Sequence, residues 1–110
     1  MAEINVREIM EKIPDYFNPE KAIGIDVVVQ CLFTGKQASN WIISIKGQTC
    51  AVEEGQVDHP DITIKANGEV GIKLFTGKMD PMRAFLLGKV KVTGDMALGM
   101  KLVKLFNRPY

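Results

Sequence analysis

The sequence predicts an α+β fold: a five-stranded, mainly antiparallel sheet with the helices gathered on one face. The apolar residues follow helical spacing at the start, alternate between two faces from Ile25 onward, and return to helical spacing after residue 67. Short turns at residues 34–37 and 46–48 separate three of the alternating segments, which is typical of an antiparallel meander. A length of 110 residues suits one core, so we expect residues 1–110 to form a single domain.

The first helix is predicted over residues 6–13. Asn5 can cap its start, because an asparagine side chain accepts a hydrogen bond from a free amide of the first turn. Pro14 is expected to end it, since proline lacks the amide hydrogen that a helix interior needs. Four apolar residues share one helical face: Val6, Ile9, Met10 and Ile13. The pair Asn18 and Pro19 predicts a second, short helical turn.

Five segments have the alternating pattern of strands: residues 25–33, 40–45, 49–53, 61–66 and 89–93. In the first two, Val29, Phe33 and Trp41 belong to the apolar face, which is expected to meet the helices. In the last, Lys89 and Lys91 alternate with valines, as is typical of an edge strand that resists pairing with another sheet. These segments supply the five strands of the predicted sheet.

Three further helices are predicted, over residues 70–75, 81–87 and 95–106. Asp80 followed by Pro81 is a typical helix start, with a capping side chain before a proline at the first helical position. In the last helix, the apolar side chains spread over about 200° of the circumference, about twice the stripe that a surface helix needs. We therefore expect this helix to contact the core on one side and a second apolar partner on the other.

The charge is distributed unevenly along the chain. Residues 1–72 carry six basic and eleven acidic side chains, whereas residues 73–110 carry eight basic and two acidic ones. The net charge of +1 therefore combines −5 in the first part with +6 in the second. This basic part also holds the surplus apolar surface. The combination suits a transient contact with an anionic membrane, or it keeps an apolar segment in solution; we expect no nucleic-acid partner.

The sequence contains no recognisable catalytic or metal-binding arrangement. His59 is the only histidine, and no cysteine or carboxylate pair stands near it at metal-ligand spacing. Glu53 and Glu54 are adjacent in a predicted strand and point to opposite faces, which is wrong for a paired-carboxylate site. We therefore predict no enzymatic activity, no cofactor and no bound metal.

The cysteines and the start of the chain indicate a reducing compartment. Cys31 and Cys50 lie far apart in strand-like segments, which favours buried free thiols over a disulfide. The first residues lack the basic flank and apolar block of a secretion signal, so we expect a cytoplasmic location.

Residues 76–81 read TGKMDP, an aromatic helix follows, and residues 88–96 read GKVKVTGDM. These motifs in the last third of the chain resemble those of the sterol carrier protein two family of lipid-binding domains. Residues 60–63, PDIT, resemble the family's entry to the fourth strand, and the likeness extends over residues 5–106. The chain lacks the peroxisomal address and the fused thiolase or dehydrogenase of eukaryotic members, so we expect a stand-alone member of prokaryotic type.

The resemblance implies an elongated apolar tunnel, enclosed by the helices and the sheet, for a fatty acyl chain, a fatty acyl-CoA, a phospholipid or a sterol. A prokaryotic-type member favours an acyl chain over a sterol. Four of the six methionines stand between positions 79 and 100, and flexible thioethers suit a cavity with variable contents. The residues predicted to line the tunnel are Phe75, Met79, Met82, Phe85, Leu86, Met96, Met100 and Val103. Those predicted to close it from the sheet are Val29, Phe33 and Trp41.

A second interpretation assigns the surplus apolar face to protein contacts. The last helix could bury this face against a second copy of the chain or against a partner enzyme, with no lipid bound. A third interpretation, an enzyme acting on acyl thioesters, has only the expected ligand to support it. Retained lipid favours the first interpretation, and self-association favours the second.

Overall fold

The computed structural model describes residues 4–107, so the first three and last three residues of the predicted domain lie outside the described part. Within residues 4–107, four α-helices and two short 3-10 helices accompany five strands. The α-helices are α1 (Val6–Tyr16), α2 (Gly68–Phe75), α3 (Pro81–Leu86) and α4 (Met96–Lys104). The 3-10 helices are Pro19–Ala22 and Gly35–Gln37. The strands are β1 (Val27–Thr34), β2 (Ser39–Lys46), β3 (Thr49–Glu54), β4 (Ile62–Asn67) and β5 (Val90–Gly94).

The strands form one sheet in the order β3-β2-β1-β4-β5. The pairs β1 with β2, β2 with β3 and β4 with β5 are antiparallel, and the central pair β1 with β4 is parallel. The predicted α+β class, the mainly antiparallel sheet and the meander of the first three strands are therefore confirmed. β5 lies at one edge of the sheet, as the alternating lysines predicted.

Capping side chains start α1 and α3 where the sequence predicted. Asn5 accepts a hydrogen bond from the Glu8 amide at 2.8 Å, and Asp80 accepts one from the Arg83 amide at 3.0 Å. The predicted end of α1 is wrong, because Pro14 lies inside the helix and the last turn continues to Tyr16. A proline so close to the end of a helix removes only one of its hydrogen bonds, and the helix keeps its remaining ones.

The core lies between the sheet and the helices and is richest beneath α1. Val6 and Met10 of α1 are buried, together with Trp41 of β2. Further buried core side chains come from the sheet, from α4 and from the residue that follows α4: Val27, Val29, Cys31, Ile43, Ile45, Ile62, Leu102 and Leu105. Arg7 ties α1 to the sheet, because its guanidinium lies 5.1 Å from the Trp41 ring centroid and pairs with Glu54 at 2.6 Å.

The start of β4 is fixed by a pair of hydrogen bonds to β1. Asp61 accepts a bond from the Val28 amide through Oδ2 at 2.7 Å and donates its own amide to the Val28 carbonyl at 2.9 Å. Gly94, at the end of β5, has a φ of +111°, and a Cβ there would lie 2.6 Å from the Asp61 carbonyl oxygen. Only glycine therefore allows β5 to pass so close to β4.

The face of the sheet opposite the helices holds a buried polar side chain, Gln30. Gln30 points away from the helices, yet it is buried, and both polar atoms of its amide are hydrogen-bonded. Its Nε2 donates to the carbonyls of Trp41 and Gly55, each at 3.0 Å, and its Oε1 accepts from the Val57 amide at 2.9 Å. Gln30 thus holds the loop after β3 against the face of the sheet opposite the helices. The other face, which carries the helices, holds the core and the site described next.

Candidate functional site

Helix α4 has one buried side and one exposed apolar side. Leu102 is buried within α4, and Leu105, which follows its last turn, is buried beside it in the core. Met96, Met100 and Val103 are apolar too, yet 42%, 50% and 52% of their surfaces are exposed. The expected double contact of this helix therefore has a structural counterpart: one side packs on the sheet, and the other is left without a covering element among the described residues.

The exposed side of α4 forms one wall of an apolar groove of about 340 Å³. The groove runs between α3 and α4 over the half of the sheet formed by β4 and β5. Its lining is mostly aliphatic, aromatic and methionine side chains: Ile62, Ile64, Leu74, Pro81, Met82, Phe85, Val90, Val92, Met96, Met100 and Val103, with Gly99, Asp80 and Lys104. Because several of these side chains remain 40% or more exposed, the structure shows an open groove, and the enclosed tunnel stays a prediction.

Local features of the sequence set the walls of the groove. Pro81 at the first position of α3 and the Asp80 cap orient the turn of helix that carries Met82 and Phe85. Asp95 caps α4 by accepting a hydrogen bond from the Leu98 amide at 3.1 Å. These caps bind amides that a helix start would otherwise leave without a hydrogen-bond partner. The two helices that form the walls, α3 and α4, therefore each begin at a fixed residue.

Gly99 sets the distance between α4 and the sheet. A Cβ at this position would lie 3.0 Å from Cδ1 of Ile62 and 3.7 Å from Cγ1 of Val92. The missing side chain therefore lets α4 approach the floor of the groove closely. Met96, which precedes Gly99 in the sequence, and Met100, which follows it, also line the groove.

The groove offers few polar groups to a ligand. Asp80 and Lys104 are its only charged lining residues within the described chain, and both are exposed. Among residues 4–107, no buried side-chain nitrogen or oxygen lacks a hydrogen-bond partner. An apolar segment is therefore the part of a ligand that the groove can accommodate, with any polar group left at the surface.

The structure brings together five of the residues that the sequence predicted for the site. Met82 and Phe85 line the groove from α3, and Met96, Met100 and Val103 line it from α4. Whether they contact lipid stays a prediction, but they share one continuous apolar surface.

Three predicted residues of the helical part lie outside the groove. Phe75 lines a separate cavity of about 280 Å³ beside α1, where its ring makes an edge contact with Tyr16 at 5.4 Å between centroids. Met79 is half-buried in the turn before α3. Leu86 is 75% exposed and points away from the groove, although it stands four positions after Met82.

The three predicted strand residues lie in or against the core. Val29 and Trp41 are buried there, and the Trp41 Nε1 donates to the Ser39 hydroxyl at 2.9 Å. Phe33 packs beneath α2, where a Cβ on Gly71 would come within 2.7 Å of its ring. The helix-facing side of the sheet is thus divided: β1 and β2 support the core, and β4 and β5 form the groove floor.

The groove floor was missed in the sequence. Ile62 and Ile64 of β4 and Val90 and Val92 of β5 line it. Their alternation in the sequence placed these residues on one face of two strands. Had we predicted that β4 and β5 pair with each other beneath α4, these residues would have been recognised as the groove floor.

The described residues contain no cluster of three or more metal-ligating side chains, and none of their helices is long and apolar enough to cross a membrane. His59 is exposed. Cys31 and Cys50 are free thiols, and burial raises the pKa of Cys31 to about 12 and that of Cys50 to about 11. Both thiols therefore stay protonated and poorly nucleophilic near neutral pH.

Comparison with known proteins agrees with this fold. Hydroxysteroid dehydrogenase-like protein 2 of Xenopus tropicalis is 31% identical over 104 residues, which cover 94% of this chain and 25% of that protein. The chain thus spans about a quarter of that relative's length. The sec-alkylsulfatase Pisa1 from Pseudomonas sp. superposes with a TM-score of 0.78 at 19% identity, over 94% of this chain and 16% of that one. In both of these proteins the matched region is one part of a longer chain.

A solved structure of nearly the same length is also similar. Palmitated SCP2L2 from Aedes aegypti superposes with a TM-score of 0.71 at 26% identity, covering 92% of this chain and 93% of that one. The model of the SCP-2 sterol transfer family matches residues 15–107. Since this match includes the strands, α3, α4 and the groove between them, the chain belongs to the SCP-2 sterol transfer family.

Proposed function

We propose that this chain is a non-catalytic lipid-binding and transfer protein that holds a fatty acyl chain in the groove between α3, α4 and the β4–β5 half of the sheet. The observation that supports it most directly is the exposed apolar side of α4, where Met96, Met100 and Val103 face the groove. Soluble proteins seldom leave such a continuous apolar surface without a ligand or a partner.

Burial of an acyl chain supplies enough free energy for binding. At about 0.8 kcal/mol for each buried methylene, a sixteen-carbon chain gains on the order of 12 kcal/mol before the costs of association. The groove volume of about 340 Å³ lies within the range of ligand pockets. Micromolar binding is therefore feasible with the tail alone.

The lack of buried polar partners indicates weak selectivity for the headgroup. A site without a buried charge or donor array cannot strongly reject one headgroup in favour of another. Fatty acid, fatty acyl-CoA and phospholipid are therefore all candidates, with the acyl chain as the shared element. The similar protein from Aedes aegypti was solved in palmitated form, which supports palmitate as the first probe.

Replacement of Met100 by glutamate tests the proposal. Met100 lines the groove, so Met100→Glu places a carboxylate against the ligand tail and should weaken palmitate binding at least about tenfold. Leu86→Glu is the matched control, because it adds the same charge to a neighbouring helix outside the groove. Binding is measured by native mass spectrometry and by displacement of a fluorescent fatty acid.

Equal palmitate affinity for the wild-type and Met100→Glu proteins would contradict the assignment of the groove, as would failure of the wild type to retain any acyl lipid. Sedimentation of the lipid-free protein examines the other interpretation of α4. A dimer that Met100→Glu converts to a monomer would assign the exposed side to self-association. Transfer of the bound lipid to a partner enzyme is consistent with similar proteins in which the matched region is one part of a longer chain.

A further inference from the structure

The groove contains the three most exposed methionines of the described residues. Met82, Met96 and Met100 are 40%, 42% and 50% exposed, and all three line the groove. The other two methionines within residues 4–107 lie elsewhere: Met10 of α1 is buried in the core, and Met79 is half-buried in the turn before α3. A leucine would supply a similar apolar volume at each groove position. The sulfur atoms are therefore a feature that the need for an apolar lining does not explain.

The three thioethers stand on both walls of the groove. Met82 belongs to α3, whereas Met96 and Met100 belong to α4. Met96 and Met100 are four residues apart, which separates them by about 6 Å along the helix axis. An acyl chain held between α3 and α4 therefore passes methionine sulfur on either side and at two positions along α4.

Thioether sulfur has a reaction with peroxides that aliphatic and aromatic side chains lack. It takes up one oxygen atom and becomes a sulfoxide. The two thiols stand elsewhere, because Cys31 is buried in the core and Cys50 lies on β3, at the edge of the sheet opposite β5. Burial raises the pKa of Cys31 to about 12 and that of Cys50 to about 11, so both remain protonated at neutral pH. Among the described residues, methionine is thus the sulfur that a bound tail meets.

We propose that the groove accepts peroxidised acyl chains, and that Met82, Met96 and Met100 reduce the bound hydroperoxide to an alcohol. The inference rests on the proposed function, because the hydroperoxide reaches the sulfur as part of an acyl chain held in the groove. A thioether sulfur attacks the terminal oxygen of the hydroperoxide, and the S–O bond forms as the O–O bond breaks. The sulfur loses two electrons, and the peroxide gains them. The proton on the transferred oxygen moves to the alkoxide, which leaves a sulfoxide on the protein and an alcohol on the acyl chain.

Binding in the groove favours this reaction in two ways. It holds the hydroperoxide beside sulfur, so that a collision between two molecules in solution becomes a reaction within one complex. The hydroperoxide O–H can also donate to a thioether sulfur, which is a weak acceptor, and this contact brings the two reacting atoms together. Each sulfur reacts once, because the sulfoxide has taken up the oxygen, so the methionines act as stoichiometric reductants.

The 13-hydroperoxide of linoleic acid is the probe that tests the proposal. Mass spectrometry of peptides follows the sulfoxides, chromatography follows the hydroxy acid, and a chelator removes trace metals. The groove methionines should be oxidised at least about tenfold faster than N-acetylmethionine at the same hydroperoxide concentration, with one alcohol formed for each sulfoxide. Hydrogen peroxide has no tail, so it should oxidise them no faster than N-acetylmethionine. Excess palmitate should suppress the reaction with the lipid hydroperoxide.

Replacement of the sulfur at constant volume separates chemistry from packing. In Met82→Leu/Met96→Leu/Met100→Leu, alcohol formation at saturating hydroperoxide should fall at least about tenfold, although leucine keeps the wall apolar. Displacement of a fluorescent fatty acid sets the saturating concentration for each variant, so a change in affinity does not enter the comparison. Met79→Leu is the matched control, because Met79 lies outside the groove and its replacement should leave the rate unchanged.

The outcomes distinguish this inference from the proposed function. Alcohol formation by the triple leucine variant at the wild-type rate would overturn the inference, as would an equal loss in Met79→Leu. Formation of ketones without sulfoxides would overturn it too, because oxygen transfer to sulfur produces neither result. If the wild type binds palmitate but does not reduce the hydroperoxide, this inference alone fails. If the wild type binds neither lipid, the proposed function fails with it.

Discussion

Helices α1 and α4 both carry wide apolar faces, but they use them differently. In α1, Val6, Ile9 and Met10 are all buried and Ile13 on the same face is partly buried, so the core covers most of the apolar face. In α4, Met96 and Met100 remain about half exposed although their side chains are as apolar as those of α1. An apolar side chain thus indicates burial only where another element covers it. Apolar surface beyond the needs of the core marks the position of the groove.

The largest contrast is expected in stability. Met10→Ala should lower the free energy of unfolding by about 2–5 kcal/mol, because Met10 is 2% exposed and its loss leaves a cavity. Met100→Ala should change it by less than about 0.5 kcal/mol, because half of that side chain already contacts water. Urea unfolding of the lipid-free proteins measures both. Similar losses for the two variants would show that α4 is packed as tightly as α1.

Oxidation by peroxide should distinguish the same two helices without a substitution. Methionine oxidation follows exposure, so Met96 and Met100 should form sulfoxides at least about tenfold faster than Met10. Mass spectrometry of peptides gives the individual rates. Added palmitate should slow oxidation of Met100 and leave Met10 unaffected, and protection of neither would count against a ligand in the groove.

The smallest contrast concerns the two helix caps. Asn5→Ala and Asp95→Ala each remove a hydrogen bond to a first-turn amide and should cost their helix about 1 kcal/mol. For Asn5→Ala this loss should appear in the global free energy of unfolding, because α1 covers the core. For Asp95→Ala it should appear mainly as about fivefold faster hydrogen exchange in α4, through local opening. A shift of the global urea midpoint in Asp95→Ala as large as that in Asn5→Ala would contradict the comparison.

Most elements could be predicted because their signals are local. The caps at Asn5 and Asp80 and the alternation after Ile25 depend on neighbouring residues, and each is present in the structure. The predicted end of α1 was wrong, because the packed structure tolerates Pro14 in the last turn of the helix. The parallel pairing of β1 with β4 joins segments distant in sequence, and no local pattern specifies it.

The candidate site could be predicted only in part, because local patterns identify apolar faces but do not show which elements meet. Helical spacing identified Met82, Met96 and Met100 as members of apolar faces, and the groove includes them. Alternation placed Val29 on the helix-facing side of the sheet but could not tell which half of that side lies beneath α1. Leu86 shares a face with Met82 by spacing alone, yet the angular offset within α3 is enough to leave it outside the groove.

The separate positions of groove and core affect how such a protein can diverge. Folded domains have a margin of only about 5–15 kcal/mol, so binding residues that also form the core cannot vary freely. Here the groove methionines can be exchanged at little cost to the fold, whereas Gly99 cannot acquire a side chain without displacing Ile62. Cargo preference can therefore change from one member to another by substitutions on α3 and α4, while α1 and the meander preserve the same architecture.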